Sequence, residues 1–149
     1  ELNHVVQGFH YGHPVYYGGA SSNSDTLGPI AEFIDHGGAE GIAFNTGGLF
    51  TGTEGFIFVA MYHNAKILAV RLSQRGATFG TEVHEILEFP CVGGEVTAFG
   101  IGHKPCVHEH PLDVAFGPDG NLYIAAFGLM RGSDFMPLLH GKIYRLAGF

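Results

Sequence analysis

An all-β fold of the β-propeller kind, with about three four-stranded antiparallel blades, is what this sequence predicts, and three observations predict it. Turn-formers and strand-formers are abundant together, with 24 Gly and 13 Phe among 149 residues of which only 14% are charged. That mixture reads as many short strands joined by tight turns. The apolar runs have strand lengths, and no stretch carries a clear helical period. Finally, one plan recurs: Gly41-Ile42-Ala43-Phe44 followed by Gly55-Phe56-Ile57-Phe58-Val59-Ala60 is matched by Asp113-Val114-Ala115-Phe116 followed by Gly120-Asn121-Leu122-Tyr123-Ile124-Ala125. A unit recurring at roughly 70 residues, each an up-and-down meander, is the pattern of propeller blades with long loops.

The units are expected at about 1–40, 41–90 and 111–149. In the first, residues 2–6 and 30–34 are candidate strands, and 18–28, with Ser21, Ser22, Asn23, Ser24 and Asp25, is a loop. The second opens with a short strand at 41–45. The run 55–62 is apolar throughout and is expected to be buried on both faces; 66–72 follows, and 82–89 alternates polar with apolar as a half-exposed strand does. The third unit runs through 112–116, the turn Gly117-Pro118-Asp119-Gly120, then 121–126 and 141–146. Asp-Gly supplies the positive backbone angle that a tight hairpin needs. No clear fourth strand follows.

Length and charge narrow the function classes. A chain of 149 residues and 15.9 kDa fits one domain with a real core. Its formal charge is −7 and its seven Lys and Arg are scattered, so it carries no footprint for nucleic-acid phosphates. The apolar runs are far short of the roughly 20 residues that cross a bilayer, and no basic-then-apolar leader is present. Neither nucleic acid nor membrane is an expected partner. Cys91 and Cys106 bracket a Gly-rich segment with little means of ordering itself. They form a candidate disulfide, worth about 3 kcal/mol by the chain-entropy model, which would place the protein in an oxidising compartment.

Ten His are present. In Cys106-Val107-His108-Glu109-His110, the alternate residues His108 and His110 would share one face of a strand, where two imidazoles can hold a transition metal; the plain alternative is a solvated loop. His10 and His13 flank Tyr11-Gly12 in a turn-forming sequence, and His36 beside Asp35 is either an oriented imidazole or a structural pair. Asp113, just inside a strand, is expected to tie backbone amides through its carboxylate.

Three segments carry a resemblance. Residues 111–124, Pro-Leu-Asp-Val-Ala-Phe-Gly-Pro-Asp-Gly-Asn-Leu-Tyr-Ile, with Gly-Lys-Ile-Tyr-Arg-Leu at 141–146, are similar to the final blade of the soluble glucose/sorbosone dehydrogenases. The opening residues 1–14, Glu-Leu-Asn-His-Val-Val-Gln-Gly-Phe-His-Tyr-Gly-His-Pro, resemble that family's segment ending in Tyr-Gly-Trp-Pro, and residues 35–44 resemble the opening of its next blade. The resemblance implies the C-terminal half of a six-bladed propeller that binds pyrroloquinoline quinone (PQQ) beside calcium and oxidises aldoses. It implies that the carbonyls of Gly12 and Pro14 hold calcium, and that Asp35, His36, His63 and His110 are cofactor contacts. The family's catalytic histidine would lie outside this chain.

Departures from the family pattern are specific. His13 stands for its Trp, His110 for an Arg that helps fix the quinone, and His63 for a basic contact. Each of the last two exchanges a permanent cation for a group mostly neutral at pH 7. The alternative reading is a non-catalytic, propeller-derived binding or self-assembly module. A half-ring leaves sheet surfaces uncovered, so the expected partner is the missing N-terminal half or a second copy in a homodimer, with a sugar substrate in the enzymatic reading. The location implied is extracellular or periplasmic.

Overall fold

The structure, a computed structural model, describes residues 1–12, 26–33, 37–47, 50, 52–75, 78–90, 109–131, 136–137 and 141–147. Its strands are β1 (Ala39–Phe44), β2 (Phe56–Met61), β3 (Lys66–Arg75), β4 (Thr78–Glu88), β5 (Glu109–Phe116), β6 (Leu122–Arg131), β7 (Met136–Pro137) and β8 (Lys142–Leu146). Among the described residues there is no helix. The first sheet has the order β1-β2-β3-β4; in the second, β6 lies between β5 and β8, with the two-residue β7 pairing near the C-terminal end of β6. All pairings between these strands are antiparallel.

The repeat read from the sequence is a repeat of register. In the first sheet Phe44 pairs with Ile57 and Ile57 with Val70; in the second Phe116 pairs with Leu122 and Leu122 with Leu146. Lys66-Ile67 thereby occupies the place of Lys142-Ile143. The sheets stack in the same sense. Phe58, Ala60, Ile67 and Ala69, on one face of the first sheet, meet Val114, Leu122 and Ile124 of the second in a core completed by Phe50, Ala65 and Phe89. Phe50, Phe58 and Phe116 lock edge to face there, with centroids 5.4–6.0 Å apart. Gly41 of β1 lies so close to Asp113 of β5 that a Cβ would come within 2.5 Å of the Asp113 Cα.

The other face of the first sheet, with Ile57, Val59, Met61 and Val70, is covered by Leu2 and Ala31, flanked by Ile30 and Phe33. β2 is therefore buried on both faces, as its continuous apolar run predicts. The covering segment is not the pair of strands expected at 2–6 and 30–34. Its described residues form two isolated bridges, a parallel one between His10 and Thr26 and an antiparallel one between Leu2 and Ala31, in which Leu2 N–H donates to Ala31 O (2.9 Å) and Ile30 N–H to Leu2 O (2.8 Å). Val5 is 79% exposed; with one apolar anchor and, among the described residues, no third strand beside it, a longer ladder gains little.

β4 differs from its expected half-exposed alternation. Residues 81–85 are exposed on both faces, and burial returns only towards Phe89. An outer edge strand has core beneath only part of its length. The turn after β5 is as predicted: Gly120, at φ 76°, donates to Gly117 O (2.9 Å), and Asp119 accepts from Asn121 Nδ2 (2.7 Å) and Tyr123 Oη (2.9 Å). Asp113 also does what was expected of it, accepting the Val114 N–H at 2.9 Å.

Candidate functional site

At one end of the stack β1 begins, β2 ends, β5 begins and β6 passes by. There the short turn from β2 to β3 places Tyr62 between the two sheets. Its N–H donates to Gly38 O (2.7 Å), and the His63 N–H donates to Gly37 O (2.8 Å). Those two glycines are needed for the approach. A Cβ on Gly37 would stand 2.5 Å from Met61 Cε, and one on Gly38, already at φ 60°, 3.0 Å from His63 Cδ2.

The Tyr62 ring stacks on His110 of β5, centroids 4.6 Å apart and planes 25° apart. His63 meets the same ring edge-on at 5.0 Å, and Phe127 of β6 tilts towards it at 6.5 Å. The Tyr62 carbonyl lies 2.9 Å from His110 Nδ1. A carbonyl only accepts, so Nδ1 carries the proton in this contact. Partial burial, and then the negative charge of Glu40, push the Tyr62 hydroxyl above its ordinary value. The phenol therefore stays neutral and a donor across the physiological range.

Beside His110, Glu109 is buried and ion-paired with Lys142 of β8. Gly128 of β6, at φ 99°, lies where the β5–β6 register shifts between Glu109 and Pro111. Burial pushes the Glu109 carboxyl up, but hydrogen bonds from Lys142 and Tyr144 outweigh it and hold the group below its ordinary value.

The structure thus brings His63 and His110, 47 positions apart in the sequence, onto one aromatic ring. Gly12 belongs to the N-terminal segment: at φ 92°, its N–H donates to His10 Nδ1 (2.9 Å), and His10 O accepts from Leu27 N–H (2.8 Å). Pro14, His13, Asp35, His36, Cys91, Cys106 and His108 lie outside the described residues, and with them the candidate disulfide and the His108–His110 metal pair. Among the described residues no three His, Cys, Asp or Glu side chains gather as a metal site would require. Sequence reasoning missed Tyr62, Phe127 and Glu109. The available signal was Gly37-Gly38, two small residues in a row where another part of the chain passes close.

Chemically, the rim gathers the aromatic rings of Tyr62, His63, His110 and Phe127, with the negative charge of Glu40 nearby. It suits a planar ligand more than a polyanion.

No family model matches this chain, and no curated protein does. Among solved structures it is similar to the crystal structure of a proposed oxidoreductase (glucose dehydrogenase) from Thermus thermophilus, at 21% identity and a TM-score of 0.64. The likeness covers 96% of this chain and 35% of that one. At that identity it shows the fold. The chain spans about a third of that protein's length, where the resemblance had implied half.

Proposed function

We propose that this chain is part of a sugar dehydrogenase-like oxidoreductase built as a β-propeller, with its two sheets as blades and the Tyr62 rim as one wall of the ligand site. The observation that carries the reading is the convergence of His63 and His110 on Tyr62. Two residues that sequence resemblance marks as cofactor contacts stand at one end of a fold similar to that of a proposed glucose dehydrogenase.

The cofactors of this reading are pyrroloquinoline quinone and calcium, and the rim fits the first only in part. Ring faces at Tyr62, His63 and Phe127 suit its planar ring system. Its carboxylates are served poorly, because Lys142 is already held by Glu109 and Glu40 adds a like charge. When bound, the quinone supplies the two-electron acceptor, and calcium, with the Gly12 and Pro14 carbonyls as its proposed ligands, polarises it. This chain's own residues bind and orient: Tyr62 fixes the plane of His110 and its protonated nitrogen, and the catalytic base comes from outside the chain. Completion by the remaining part of a longer polypeptide or by a second copy, and an extracellular or periplasmic location, belong to the same reading.

A second reading, a binding or assembly module without catalysis, is favoured by one observation: His110 is spent in an inter-sheet contact through both its ring face and Nδ1. Absorbance separates the two. Mixing protein, quinone and calcium is expected to give a saturable one-to-one spectral shift, with dissociation on the order of 0.1 mM given the poor service to the carboxylates. No shift at millimolar protein would leave the second reading.

A further inference from the structure

β1 leaves the Tyr62 rim through a bulge. Ala39 pairs with Met61 and Ile42 with Val59, so three steps along β1 face two along β2, and Glu40 and Gly41 lie in the irregular stretch. Bulges re-aim side chains, and they are common beside binding and active sites. Two residues before Glu40, the Gly38 carbonyl accepts the Tyr62 N–H (2.7 Å), which ties this end of β1 to the ring. Glu40 itself is exposed, and after burial its negative charge is the second cause that raises the Tyr62 hydroxyl.

The second sheet makes the same bulge with a different residue. Matching the Phe44–Ile57 pair with Phe116–Leu122 puts Ala39 in the place of Pro111 and Glu40 in the place of Leu112, and the β5–β6 register shifts there too, between Pro111 and Asp113. One backbone feature is thus built with a carboxylate in the first sheet and a leucine in the second. The bulge does not need the charge, so the effect of the charge is to be sought at the rim.

We infer that Glu40 sets the charge selectivity of the Tyr62 rim: it admits flat ligands without net negative charge and weakens the binding of polycarboxylates. The inference rests on the rim being the ligand site proposed above. Face contact with the rings of Tyr62, His63 and Phe127 does not depend on ligand carboxylates, whereas every carboxylate held within a Debye length of Glu40, about 10 Å at 0.1 M salt, is repelled by it. Flatness and charge are therefore separate requirements, and one residue governs the second.

The test titrates the whole protein, at one fixed calcium concentration and about 0.1 M salt, with two probes that share a ring system: PQQ and its trimethyl ester, in which the carboxylates are masked. Binding is read from the ligand absorbance. The ester should bind more tightly than the acid. Glu40→Gln should tighten the acid by about threefold, the size expected of one charge acting on three at this range, and leave the ester unchanged. Glu54→Gln removes the same charge from an exposed position just before β2 begins, about 17 Å of strand away, and should alter neither. Three results would overturn the inference while leaving the rim as the ligand site: an acid that binds as tightly as the ester, a Glu40→Gln protein that binds the acid no better or worse, as it would if the carboxylate held calcium for the quinone, or equal effects of Glu40→Gln and Glu54→Gln. Binding of neither probe at millimolar concentration would overturn the ligand site, and this inference with it.

Discussion

Gly41 of β1 packs directly against Asp113 of β5, and its missing side chain is the reason it can. A Cβ there would stand 2.1 Å from Asp113 Oδ1 and 2.5 Å from Asp113 Cα. The Cα cannot rotate away, so Gly41→Ala is expected to cost about 1–3 kcal/mol by overpacking, and a denaturant midpoint equal to that of the parent would contradict the stacking described. Glu109 carries a different expectation. Its carboxyl is lowered in the folded state, so its contribution to stability is present above the ordinary carboxylate range and is lost as pH falls through the folded value. Thermal melts from pH 7 to pH 3 should therefore show a steeper loss for the parent than for Glu109→Gln, and parallel curves would count against the ion pair with Lys142. At this scale the sequence was partly readable. His63 and His110 stood out by type and by resemblance, but Tyr62 did not, because its importance comes from a stack with a residue 48 positions away on the other sheet. Nothing local to Tyr62 announces such a contact.

Equivalent positions in the two sheets allow the stacking to be weighed strand by strand. Ile67 of β3 is fully buried between the sheets, while its counterpart Ile143 of β8 is 69% exposed. Ile67→Ala is expected to cost about 2–5 kcal/mol, and Ile143→Ala to stay within about 0.5 kcal/mol for the chain alone. A large cost at Ile143 would show that something covers the outer face of the second sheet in solution. Asn45 makes a similar point for the turn between β1 and β2. It is 1% exposed, and its Nδ2 donates to Phe50 O (3.3 Å) and Thr53 Oγ1 (2.9 Å). Asn45→Ala removes both bonds and should cost about 1–3 kcal/mol by chemical denaturation. Strand identity was legible wherever burial was two-sided, as in β2, or the turn chemistry was strong, as at Gly117–Gly120. It was less legible in β4 and in the N-terminal segment, where apolar residues such as Val83 and Val5 are exposed and the pattern no longer reports a buried face.

For the molecule as a whole, about three units were expected and the described residues form two sheets, the segment before β1 contributing isolated bridges instead of a sheet; the repeat at roughly 70 residues is the matching register of those two sheets. Periodicity carries no count of such units in a larger fold; the similar solved structure is matched over 35% of its own length. Under the proposed function, the end of the stack bearing Tyr62, His63, His110 and Phe127 is the ligand-binding end. Amide and aromatic chemical shifts, followed by NMR while pyrroloquinoline quinone is titrated in the presence of calcium, test it most directly. The largest changes are expected on residues 37–38, 62–63, 110 and 127, with little movement at the opposite end in the turns 45–47 and 117–121. Changes confined to those turns, or none at millimolar quinone, would contradict it.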